Sequence, residues 1–222
     1  LHFAFLAIMR ILVVSDEIVD WIYSPAIERY HGQVDFLVSC GDLPIYYLEY
    51  IVSVLNVPAV YVHGNHDSYE VGKEGIIKSE PAGWFNVDQK RLAIALNNEQ
   101  GKISVAGLQG CMRYKPYVPF QYSQREQKFR AWWLALQFIV PQWRAGVGVD
   151  IFVAHSPPYG IHDGVDRAHI GFESFNWLIN RFKPKLFLHG HQHRNYAPQQ
   201  TGETQVGKTR ILNCHPWRLV SL

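Results

Sequence analysis

The sequence predicts an α/β protein with sheet inside and helices outside. Three observations carry that prediction. Five short runs rich in Val, Ile, Leu and Phe recur at 11–15, 34–39, 59–63, 150–154 and 185–189. Stretches of helical spacing lie between them. Each run stops at a polar cluster containing Asp, Asn or His. Runs of this length and composition suit strands buried on both faces. In such sheets ligands collect beyond the carboxyl ends of the strands, where all five clusters fall.

The first nine residues, LHFAFLAIM, are apolar but too short to span a bilayer. They also lack the basic start and small-residue cleavage site of a secretory signal. They read either as an extension ahead of a start at Met9 or as an extra edge strand, before a single domain over 10–222. The strand at 11–15 runs out into an acidic turn, and helices are expected at 20–30 and 44–55. From 92 to 106, and again from 196 to the end, short alternating runs punctuated by Gly suggest antiparallel strands. A long helix at 123–144 opens with Ser123 and Glu126 at capping-box spacing. Its Phe129, Trp132, Trp133, Leu136, Ile139, Val140 and Trp143 share one face, which is expected to be core. Pro141 is expected to kink or end this helix near its last turn. A further helix is expected at 171–182.

With 48% hydrophobic residues in 222, the chain has enough apolar surface for one sizeable core. A net charge of +2 without any Lys/Arg-rich run gives no sign of a nucleic-acid partner. No membrane partner is expected either, since no apolar run reaches bilayer length. Cys40, Cys111 and Cys214 show no CxxC spacing, so they read as reduced thiols of a cytoplasmic protein.

The five clusters are SDEI (15–18), CGDL (40–43), GNHD (64–67), AHSPP (154–158) and HGHQH (189–193). Together they offer carboxylates, an amide oxygen and several imidazoles, without thiolate. That donor mixture suits Zn, Mn, Fe or Ni. Taken singly, Asp16 and Asp42 are ordinary turn or cap residues, Asn65 a turn residue and His155 a core histidine. Caps, however, do not call for histidine partners, and five such clusters in order do not arise from capping.

In that order the clusters resemble the calcineurin-like metallophosphoesterase superfamily, with its DxH, GDxx, GNH(D/E), lone His and GHxH motifs. The resemblance runs from about Arg10 to the C-terminus. It implies a four-layer α-β-β-α sandwich of two mixed sheets flanked by helices, holding a binuclear centre of two divalent metal ions. Asp42 would bridge the ions. Asp16 and His193 would complete one site; Asn65, His155 and His191 would complete the other. His66 would be the general acid for the leaving oxygen, and Asp67 would orient its imidazole. The implied activity is metal-dependent hydrolysis of a small phosphoester, a phosphodiester in preference to a monoester. A phosphomonoesterase or protein phosphatase is the alternative within the same chemistry.

One position departs from the pattern. Ile18 stands where DxH places its histidine, and it offers no donor atom. In an extended chain Glu17 points away from Asp16, so it is a poor substitute. Three readings stay open. The ion beside Asp16 is held weakly by Asp16, Asp42 and His193, as in open catalytic sites. A histidine of GIHDGVDRAHIGF, His162 or His169, replaces the missing ligand. Or the chain is a non-catalytic metal-binding interaction module. His63 and His189 read as structural, and His2, His31 and His215 as surface or packing residues. Arg113, Tyr114 and Arg167 are candidates for touching a phosphate.

Overall fold

The computed structural model describes residues 8–67, 70–71, 77–96, 101–146, 148–193 and 202–222. Residues 1–7, with His2, and the start of the segment after 196 lie outside the described residues. One sheet holds β1 (Arg10–Val14), β2 (Phe36–Ser39), β3 (Ala59–Tyr61) and β4 (Phe85–Asn86). The other holds β5 (Arg91–Ala95), β6 (Lys102–Leu108), β7 (Ile151–Ala154), β8 (Leu186–His189), β9 (Glu203–Val206) and β10 (Thr209–Asn213). The last strand, β11 (Trp217–Ser221), returns to the first sheet. The orders are β11-β1-β2-β3-β4 and β9-β10-β8-β7-β6-β5. β1 to β4 run parallel, and β11 lies antiparallel to β1. In the second sheet β6, β7, β8 and β10 are parallel, with antiparallel edges at β5 and β9. Both sheets are therefore mixed.

Alternation along each strand divides the side chains between two cores. Ile11, Val13, Phe36, Val38 and Val60 face Val105, Ile151, Val153, Leu186, Leu188 and Leu212 across the gap between the sheets. Their strand neighbours point the other way. Leu12, Val14 and Leu37 pack under α1 (Ile45–Leu55), while Phe152, Ala154 and Phe187 pack under α2 (Gln124–Ala145) and α3 (Glu173–Phe182). Helix, sheet, sheet, helix is the resulting order of four layers. Strands buried on both faces are why the runs read as continuous apolar segments.

Expectations change at two of the helical stretches. The stretch 20–30 is helical only over Pro25–Tyr30, as a 3-10 turn capped by Ser24, whose Oγ accepts from the Ala26 N–H at 3.3 Å. Pro25 has no N–H to donate to an upstream carbonyl, so the turn begins there. In α2 the Ser123–Glu126 capping box forms, but Pro141 does not end the helix. It runs on to Ala145, with Gly146 in left-handed conformation closing it. The apolar stripe of α2 is also corrected. Trp133 and Trp143 are 68% and 83% exposed, and Phe129, Trp132, Leu136, Ile139 and Val140 are exposed with them. The inward face is Ala131, Leu134, Ala135 and Phe138, packed against Phe175, Leu178, Ile179 and Phe182 of α3. No helix among the described residues is long and apolar enough to cross a membrane.

Candidate metal centre

Three polar residues at strand tips adopt a conformation that L side chains disfavour. Asp16 after β1, Asp42 after β2 and His191 after β8 have φ of 67°, 58° and 64°. Each costs roughly 1–2 kcal/mol, a strain that persists where the surroundings over-determine it, as at functional sites. Glycines make the close approach there. A Cβ at Gly64 would run into Asp42, and one at Gly190 into Ser15 and Asp16. The turns thereby bring the tips of both sheets together.

Asp42, His155 and His191 each offer a ligand atom, all within 4.8 Å of one another. Nδ1 of His155 donates to the Cys40 carbonyl at 2.8 Å, which leaves the lone pair on Nε2. That nitrogen lies 3.0 Å from Oδ1 of Asn65 and 3.3 Å from Oδ2 of Asp42. Three acceptors thus face one point, and either a proton or a cation must lie among them. Without a cation the imidazole takes the charge: burial lowers its pKa, but Asp42 and then Asp16 raise it further, to about 9. Burial raises the Asp42 carboxyl, yet His155 and the His66 N–H bring it down to about 2. Burial raises Asp16; His155 offsets part of that, and the like charge of Asp42 adds to it. His191 falls to about 3, first by burial and then by the charge on His155. A fixed His155 tautomer, with a carbonyl behind it and two oxygens in front, is the usual outfit of a metal-ligating histidine. The donors therefore fit a divalent cation.

The other expected residues lie close by in different arrangements. Both oxygens of Asp16 accept from the His191 N–H, at 3.1 and 3.0 Å. Asn65 is buried and donates from Nδ2 to the Tyr114 hydroxyl at 3.3 Å. His66 is exposed at the rim, and its backbone N–H donates to Asp42 Oδ1 at 2.7 Å. Asp67 is not among its partners in the described residues. Instead Asp67 accepts from the Leu43 and Gly64 N–H groups and lies 3.5 Å from His63 Nδ1. It thereby fastens the loop that presents Asn65 and His66. Arg113 pairs with Glu126 of α2, and Arg167 is exposed.

Both histidines of the 160–172 loop have partners of their own. His162 bonds His189 Nε2 at 3.0 Å and Thr204 Oγ1 at 2.9 Å. His169 bonds Asp166 at 2.7 Å, with its ring 4.9 Å from that of His191. The loop does cover the centre: the Ala168 carbonyl lies 2.9 Å from His191 Nε2. Sequence reasoning missed a second group, Glu17, His193 and His215, whose ligand atoms also lie within 4.8 Å of one another. His193, implied as a partner of Asp16, lies in this group. Glu17 turns toward it because the left-handed φ of Asp16 breaks the extended alternation that would point Glu17 away. His215, expected at the surface or in packing, is buried with Nε2 3.0 Å from Glu17 Oε1. No signal marked it, because it stands in no motif.

Comparisons with known proteins agree with this fold. The family model for calcineurin-like phosphoesterases matches residues 9–195. The human and mouse proteins named metallophosphoesterase domain-containing protein 1 are each 27% identical over 133 residues, covering 58% of this chain and 38% of theirs. The chain thus spans well under half the length of these relatives. The crystal structure of TT1561 from Thermus thermophilus has a TM-score of 0.56 at 16% identity, covering 94% of this chain and 89% of that one. Another solved structure reaches 0.59 at 14% identity, covering 97% and 98%. Likeness at such identity speaks for the fold alone. The family match extends over most of the chain and includes all five clusters, and the chain belongs to the calcineurin-like phosphoesterase family.

Proposed function

We propose that the protein is a metal-dependent phosphoesterase that hydrolyses small phosphodiesters at the Asp42 centre. The observation that carries this is the meeting of His155 Nε2, Asn65 Oδ1 and Asp42 Oδ2 at 3.0 and 3.3 Å, with His191 beside them. These are the residues that would hold the cation. When bound, such a cation supplies Lewis acidity, neutralising charge on a phosphoryl oxygen and making water easier to deprotonate. Asp42 sets the position of His66 through the latter's N–H, and the His66 ring stands at the rim, where it can protonate a departing oxygen. A general acid so placed contributes roughly 10²–10⁴-fold. The loop at 160–172 screens the centre from solvent through its contact with His191.

Charge supports a diester over a monoester. Among the described residues, the hydrogen-bond and ion-pair partners of Asp42, Asn65, His155 and His191 include no Lys or Arg. A diester carries one negative charge where a monoester carries nearly two, so it needs less compensation. The test is hydrolysis of bis-p-nitrophenyl phosphate and p-nitrophenyl phosphate with Mn²⁺, Zn²⁺ or Ni²⁺. The diester should be cleaved faster, Asp42→Asn should be inactive, and His66→Ala should lose roughly 10²-fold or more. Silence with every metal would favour a non-catalytic binding module, a reading that the donor-free Ile18 supports.

A further inference from the structure

We infer that Glu17, His193 and His215 form a separate divalent-cation site, which takes the place of the one that a histidine at position 18 would have built. The inference deepens the phosphoesterase reading and rests on it for its role in a reaction. Its existence as a binding site rests on these three side chains alone. They come from three elements: the turn after β1, the segment after β8 and the link between β10 and β11. Nε2 of His215 and Nδ1 of His193 lie 3.0 and 3.6 Å from the same Glu17 oxygen. The two imidazoles stack with centroids 4.3 Å apart and planes 22° from parallel. A single cation among them would take one ring nitrogen from each histidine together with the carboxylate.

The group is also held in place. Oδ1 of Asn213 accepts from the His215 N–H at 3.0 Å, and its Nδ2 donates to the Gln192 carbonyl at 2.8 Å. One side chain thereby clamps the backbone that carries both histidines. The Ser15 N–H donates to the Pro216 carbonyl at 3.0 Å, which ties the turn bearing Glu17 to the same segment. His215 is buried, whereas Glu17 and His193 are 44% and 35% exposed. Ligands thus lie on one side and solvent reaches the other, as in sites with open coordination positions. Ile18 is 41% exposed and contributes nothing. Two imidazoles and one carboxylate select a borderline cation of the Zn²⁺, Fe²⁺ or Co²⁺ class over Ca²⁺ or Mg²⁺. Glu17 is next to Asp16 and His193 two residues from His191, so the group borders the Asp42 centre along two chain segments.

Cobalt counting tests this directly. The full chain and its variants His215→Ala, Glu17→Gln and His155→Ala would be dialysed against Co²⁺. Bound metal is then counted by elemental analysis and by visible absorption. The parent should hold two ions, and His215→Ala and Glu17→Gln one each. Glu17 is half-exposed, so its variant answers even if His215→Ala fails to fold. If both folded variants bind as many ions as the parent, the group is only an ion pair and the inference is overturned. His155→Ala reports on the other centre separately: if it retains every ion, the proposed function fails while the Glu17 group is still judged by its own variants.

Discussion

Asp150 shows how a single carboxylate fixes the strand that carries a ligand. It precedes β7, whose far end leads into His155. Its Oδ2 accepts from the Ser104 N–H at 3.0 Å and from the Ser104 hydroxyl at 2.6 Å, and Lys185 Nζ lies 3.1 Å from Oδ1. It therefore ties β7 to β6 on one side and to the start of β8 on the other. Burial raises its pKa, but the Ser104 bonds and then Lys185 outweigh burial, and the net shift is downward. The sign of the pH dependence follows. A carboxylate with a depressed folded pKa contributes its full stabilisation above the unfolded value, near 3.9, and loses it as pH falls through the folded pKa. Hydrogen bonds to a charged group are worth roughly 1.5–3 kcal/mol, while the exposed lysine adds little. Asp150→Asn should therefore be destabilised by about that amount at pH 6 in urea unfolding. The gap to the parent should narrow as pH falls below 4. A gap that stays constant from pH 6 to pH 3 would assign the effect to packing.

Helix α2 has two apolar faces, and this duplicity hid its orientation in the sequence. The larger side chains, Trp132, Trp133 and Trp143 among them, suggested core. Yet Ala131 and Ala135 are what let the helix approach α3 and the sheet closely, with Phe138 set edge-on to Phe182 at 4.9 Å. Packing volume decided which stripe turned inward, and spacing alone cannot weigh volume. Opposite outcomes are expected on the two faces. Trp133→Gln should change stability by no more than about 0.5 kcal/mol, as at other exposed positions. Phe138→Ala should cost about 3–5 kcal/mol through the cavity it leaves. Equal losses in thermal or urea unfolding would restore the aromatic face to the core. The strands were easier to read. Ile11, Val13, Phe36 and Val38 lie in short runs apolar on both faces, and the polar clusters mark where each run stops. The Asp42, Asn65, His155 and His191 cluster was legible for that reason. Glu17 and His215 were not, since one depended on the φ of Asp16 and the other on a return of the chain from β10 to β11.

At the scale of the whole molecule, the centre lies across the junction of the two sheets. Asp42 and Asn65 follow β2 and β3 of the first sheet, while His155 and His191 follow β7 and β8 of the second. A cation held by all four would cross-link the layers at one edge of the sandwich, and it would bind the folded chain alone. Binding of that kind stabilises by mass action, by about 2.7 kcal/mol when free metal is a hundred times its Kd. For a chain of this length each kcal/mol moves the melting temperature by roughly 2–4 °C. Saturating Mn²⁺ should therefore raise the melting temperature of the EDTA-stripped protein by about 5–11 °C. His155→Ala should lose the share of that rise owed to the Asp42 centre, because the variant lacks the donor whose lone pair faces both Asn65 and Asp42. Ser156→Ala, one residue along the same loop, should keep it. A rise of the same size in His155→Ala would mean that manganese stabilises the fold from somewhere other than the junction of the sheets.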